Sequence, residues 1–208
     1  MRTPFIACVV WLLAFAHGAG LAYAQTDTSA AHVAHVMASF KDTPSQQGLL
    51  PTAIAEARIA VQHASLAAKS ADKLEAMKLH AGHVIHAIDP HVEPKGPGLG
   101  YGVKKAAAAV AEHAELAGAA PDATDNVKKR ALYATTWANN VVRWSDEVID
   151  IAQRMRAATT VAAAAALTAD LTEWTTKLID GIPAIGRDGI QGGLLQAQEH
   201  MEKMKEGL

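Results

Sequence analysis

The chain predicts an all-α fold, an up-and-down helical bundle of about four long helices with shorter ones attached. Three observations carry that expectation. Almost every apolar repeat has helical period, and no segment alternates as a half-buried strand does. Alanine is abundant, while Phe, Trp and Tyr make up only 5% of the residues. Pro- and Gly-containing breakers then divide the periodic runs into lengths that suit bundle helices.

The first 24 residues are expected to be a cleavable signal peptide rather than part of the fold. Arg2 supplies a positive start, Phe5 to Ala16 an apolar core, and Ala22-Tyr23-Ala24 a small-residue cleavage site that leaves Gln25 first. The apolar run is short for a membrane span and is interrupted by His17, Gly18 and Gly20. Residues 25–208 form one bundle domain with no membrane span, in an exported protein that is periplasmic or secreted.

Within that domain a first helix runs near Ser29 to Phe40, ended by Lys41-Asp-Thr-Pro-Ser45. A second starts near Pro51, a favoured first-turn residue, and reaches Lys69. Asp72 and Glu75 have the spacing of a capping box for a third helix that runs to Ile88, where Asp89-Pro90 stops it. Residues Asp89 to Gly102, with three prolines and four glycines, make the longest loop. Tyr101 or Val103 opens a fourth helix ending near Gly118. Pro121-Asp122 begins the longest helix, Asp122 to Ala157, whose Ala134, Trp137, Val141, Trp144, Val148, Ile151 and Met155 form a bundle seam. Ala164, Leu167, Leu171, Trp174 and Leu178 answer it on a sixth helix, an antiparallel partner. A Gly-rich turn, Gly181 to Gly193, precedes a last helix through Met204.

Composition excludes several functions. The one cysteine, Cys8, lies in the predicted signal, so the mature chain has no disulfide, no thiolate metal site and no covalent haem attachment. Net charge is −2 with scattered Lys and Arg, which argues against nucleic acid as a partner. Glu-x-x-His and His-Glu-x-x-His are absent, as is Gly-x-Ser-x-Gly, and no credible catalytic set emerges.

What stands out among the ten histidines is Leu79-His-Ala-Gly-His-Val-Ile-His-Ala-Ile88, three imidazoles at three-residue spacing with no charged side chain. As a helix it places Leu74, Met77, Ala81, Val84, Ile85 and Ile88 on a core-facing arc, His83 and His86 opposite, and His80 on a flank. The face between the histidines is small and apolar, so this half of the helix is expected to be covered on both sides. Two imidazoles at i and i+3 can chelate one ion: His80 with His83, or His83 with His86. The third ligand would come from a facing helix. His80 and His83 are the leading pair, His113 and His86 come next, and His32, His35 and His63 are reserves. His32 and His35 repeat the same spacing. A nitrogen-rich, thiolate-free site suits Cu, Zn or Ni. The expected function is transition-metal binding for storage, delivery or sensing.

Two alternatives stand beside it. A bundle can hold a non-covalent b-type haem between His/His or His/Met axial ligands, for which His113, His200 and Met204 are candidates. The Gly96-Pro-Gly-Leu-Gly-Tyr-Gly102 loop, followed by Lys104 and Lys105, could then cradle the propionates, but a tight turn into the fourth helix is the favoured reading. The other alternative is a metal-free interaction module whose histidines respond to pH.

Overall fold

The computed structural model describes residues 28–183 and 190–208; the predicted signal and part of the Gly181–Gly193 turn lie outside them. Among the described residues the helices are α1 (Ser29–Met37), α2 (Leu49–Lys69), α3 (Leu74–Ile88), α4 (Val103–Ala119), α5 (Asp125–Ala157), α6 (Val161–Ala165), α7 (Thr168–Asp180) and α8 (Leu194–Lys205). A two-residue antiparallel pair, β1 (Ile182–Pro183) with β2 (Ile190–Gln191), pins the ends of the turn before α8. The protein is an all-α helical bundle.

The longest helices make the frame. α2 packs on both α3 and α4, and α5 packs on the same two helices. Small residues allow the close approach: Ala53, Ala57, Ala60, Ala64 and Ala67 of α2 and Ala106, Ala107 and Ala114 of α4 are buried. The α5 seam faces this core, with Ala134, Val141, Val148 and Met155 fully buried and Trp137 half-buried. α1 lies on α4, α7 contacts α2 and α5, and α8 packs along α5. No helix of the described residues is long and apolar enough to cross a membrane.

Local chemistry moves several boundaries from their expected places. α5 begins at Asp125 because Thr124 is the cap, its Oγ1 accepting from Val127 N–H at 3.3 Å. Asp122 is drawn away to α1, where it accepts from the Ser29 N–H at 2.9 Å and from the Ser29 hydroxyl at 3.1 Å. Asp72 does not cap α3, which starts from Lys73 without a side-chain bond. The expected sixth helix is broken between α6 and α7. There Leu167 N–H turns back to Ala164 O, a tighter i−3 bond that ends the first segment without any Gly or Pro.

The Gly-rich loop before α4 corrects a second expectation. Its N–H groups do form an anion cradle, but the anion is the protein's own Glu56, fully buried on α2. Glu56 Oε1 accepts from Tyr101 N–H (2.9 Å) and Gly102 N–H (3.0 Å), and Oε2 from Leu99 N–H (3.1 Å). A carboxylate buried without such donors would be costly. Gly98 lies at φ +148°, and a Cβ there would fall 2.7 Å from Glu56 Oε2. The propionate reading of this loop is therefore replaced by an internal carboxylate that locks the loop to α2.

Candidate metal sites

The fold gathers six of the ten histidines into two triads. His63 on α2 meets His80 and His83 on α3, and His113 on α4 meets His32 and His35 on α1. Within each triad one ligand atom from every residue lies within 4.8 Å of the other two. Both are built alike. One helix presents two rings at i and i+3, one turn apart on one face, and a neighbouring helix supplies the third.

In the α2–α3 triad the Nδ1 atoms converge. His63 Nδ1 lies 3.1 Å from His80 Nδ1 and 3.3 Å from His83 Nδ1. Nitrogens bound tetrahedrally to one ion at 2.0–2.1 Å stand about 3.3 Å apart, so the rings are already near the spacing of a shared ion. All three residues are half-buried. Burial first, then the neighbouring His83 and His80, push the His63 pKa down to about 4. Burial lowers that of His80. His83 is lowered by burial, His80 and His86, with Glu93 opposing. The rings are consequently neutral at pH 7, the form in which imidazole ligates a metal.

In the α1–α4 triad His32 and His113 approach Nδ1 to Nδ1 at 3.0 Å. His35 Nδ1 is buried without a hydrogen-bond partner among the described residues. Buried polar atoms are normally satisfied, and an ion shared with the adjacent rings would satisfy this one. Phe40 packs beside the site, its ring 5.5 Å from that of His35 and 5.2 Å from that of His113. Ser29 sets the docking of α1: besides its bonds to Asp122, its hydroxyl donates to Ala117 O at 2.8 Å, one turn past His113 on α4.

The remaining candidates lie elsewhere. His86 is buried and donates from Nδ1 to the Glu93 carbonyl at 2.8 Å. Gly96 passes so close that a Cβ there would lie 2.7 Å from the His86 Cβ. His200 stacks on Tyr133, with ring centroids 4.7 Å apart, and its Nδ1 lies 3.5 Å from an Arg130 nitrogen. Met204 is fully buried in the core. His91 is exposed in the long loop. The expected cover over the second face of α3 is uneven. Arg156 lies over Gly82 and the 93–96 segment over His86, but Leu79 is 56% exposed.

Sequence reasoning missed Glu56, Glu93 and Arg156. Glu56 carried a signal, as the single carboxylate in an otherwise largely apolar α2. The Arg156–Glu93 ion pair, 2.6 Å, joins residues 63 apart and left no local trace.

No protein-family model, no curated protein and no solved structure matches the chain.

Proposed function

We propose that this is an exported, histidine-rich protein that binds a transition metal of the Cu, Zn or Ni class at two three-histidine sites, for storage, delivery or sensing. The observation that carries the reading is the duplication: two separate triads, each with its ligand atoms within 4.8 Å of one another and each joining two helices. A single cluster of core histidines is readily explained by hydrogen bonding. Two clusters of the same construction, one with a buried Nδ1 left unpartnered among the described residues, are better explained by a common ligand. The donor sets contain nitrogen alone, which suits these ions better than Mg or Ca. Export rests on the N-terminal charge, apolar run and Ala22-Tyr23-Ala24 site of the sequence.

The test is metal content and an absorption spectrum on protein purified from its own compartment without an affinity tag. Two equivalents of Cu, Zn or Ni, with one lost in His63→Ala and one in His113→Ala, support the proposal. Failure to bind any of the three ions in direct titration would overturn it, and a Soret band with stoichiometric haem would favour haem instead. N-terminal sequencing of the same material tests export, which predicts a chain beginning at Gln25.

A further inference from the structure

The two triads differ in what lies beside them. Phe40 packs its ring against His35 and His113 of the first. In the second, His83 also forms part of the wall of a neighbouring cleft of about 290 Å³. Lys78 and Leu79 of α3, Glu93, Lys95 and Gly96 of the long loop, and Arg156 at the end of α5 complete that wall. Its shape is held from several directions. The Glu56 cradle fixes the far end of the loop, His86 holds the Glu93 carbonyl, and Arg156 grips the Glu93 carboxylate.

Charge in this cleft is unbalanced. Three cations, Lys78, Lys95 and Arg156, face one carboxylate, Glu93. Burial disfavours Glu93 ionisation, but the Lys95 N–H and the Arg156 guanidinium outweigh it and keep the carboxyl below its usual range, so it neutralises one cation. Lys78 has only a loose contact, 3.9 Å, with the exposed Glu75. An ion on His63, His80 and His83 would add positive charge beside this surplus. Three protein ligands also leave a tetrahedral ion one position short, the arrangement that elsewhere admits water or an outside ligand.

We infer that the second triad takes its ion together with a small dicarboxylate, one end completing the metal's coordination and the other held in the cleft by Lys78 and Lys95. This rests on the metal-binding reading above. A dicarboxylate fits the surroundings better than a monocarboxylate because the cations line the wall beyond His83, where a second negative group would reach them. Arg156 sets the wall through Glu93 and keeps that carboxylate from competing for the lysines. The first triad, with the Phe40 ring against His35 and His113, takes its ion without this partner.

The experiment uses Co(II), whose visible bands report its ligands, in the full bundle carrying His113→Ala to silence the first triad; His35→Ala serves the same end if that variant does not fold. Succinate is expected to shift the Co(II) bands saturably, with an affinity at least tenfold above that of acetate. Lys78→Ala/Lys95→Ala, both at the solvent edge, should leave Co(II) stoichiometry unchanged and remove most of the preference for succinate. An unchanged spectrum with Co(II) still bound would overturn the inference and leave metal binding intact. So would a succinate preference indifferent to the two lysines, since the metal alone would then be selecting the anion. Absence of Co(II), Cu(II), Zn(II) and Ni(II) binding in the unmutated protein would overturn both.

Discussion

His86 donates its Nδ1 proton to the backbone carbonyl of Glu93 across 2.8 Å, and this bond sets it apart from the two histidines that share its helix stripe. His80 and His83 turn instead to His63 on α2. The division predicts a sharp contrast between variants. His63→Ala and His83→Ala should each lose one equivalent of Zn(II) in equilibrium dialysis with helicity unchanged, and His86→Ala should lose none. Equal losses in His63→Ala and His86→Ala would show that the stripe ligates as one unit.

α1 has nine residues, shorter than the 12–15 or so at which an isolated helix becomes even marginal in water. Its place depends on the Ser29 anchors and on what His32 and His35 meet on α4. Zn(II) should therefore slow amide exchange across Val33 to Met37 in the unmutated protein and leave it unchanged in His113→Ala. Hydrogen-exchange mass spectrometry reads this directly.

Acid should weaken the metal-free fold in a defined window. His63 has a pKa of about 4 in the native state against 6.5 for the free side chain, with His80 and His83 shifted in the same direction. Between those values the unfolded chain binds more protons than the native one, so stability rises with pH. The contribution is complete above about pH 6.5 and is lost as pH falls toward 4. Urea midpoints at pH 7.5, 5.5 and 4.5 should decline, and His63→Gln should flatten the decline. A midpoint that holds steady from 7.5 to 4.5 would contradict the burial of this triad.

Glu56→Ala removes the acceptor for three backbone N–H groups at the entry to α4. Buried donors left unpaired cost about 1–3 kcal/mol each before the loop relaxes, so a net loss of about 2–4 kcal/mol is expected from denaturant melts. Because the same loop walls the cleft beside His83, the variant should also bind its second Zn(II) more weakly. A neutral substitution would mean that the cradle N–H groups find water at no cost.

Gly82 sits in the middle of α3, where glycine costs about 0.5–1 kcal/mol relative to alanine. A Cβ there would meet Arg156 Nε at 3.7 Å, ordinary contact with a flexible side chain. Gly82→Ala should accordingly raise stability by about that amount, while Gly82→Leu must displace Arg156 and disturb its pair with Glu93. A loss of stability in Gly82→Ala would show Arg156 to be held more firmly than its partial exposure suggests.

Much of the helical fold was legible because 3.6-residue periodicity is a local property. The α5 seam and the apolar arc of α3 occupy the core positions assigned from spacing alone. Ends were less legible: Asp72 has cap-like spacing and Pro121-Asp122 reads as a helix start, but a helix end depends on where the chain before it travels, and Asp122 is taken by Ser29 from 93 residues away. The site divides along the same line. Spacing marks His80 with His83 and His32 with His35 as chelating pairs. A helical wheel shows which way a ring points and nothing of what faces it, so the partners His63 and His113 could not be assigned. The fate of His86 was equally hidden, being decided by a carbonyl in an irregular loop.

The two triads also differ in the length of chain each one closes. His63 is 17 and 20 residues from its partners, whereas His32 and His113 are 81 apart. An unfolded chain can gather the nearer set more cheaply, since loop closure scales as (3/2)RT ln n, a difference of about 1.4 kcal/mol between 17 and 81 residues. An ion that lingers on the unfolded chain stabilises the native one less. If both hold an ion with equal native affinity, the α1–α4 triad would act as a long-range staple against unfolding. The α2–α3 triad would then be a local clip, able to capture an ion before the bundle has closed.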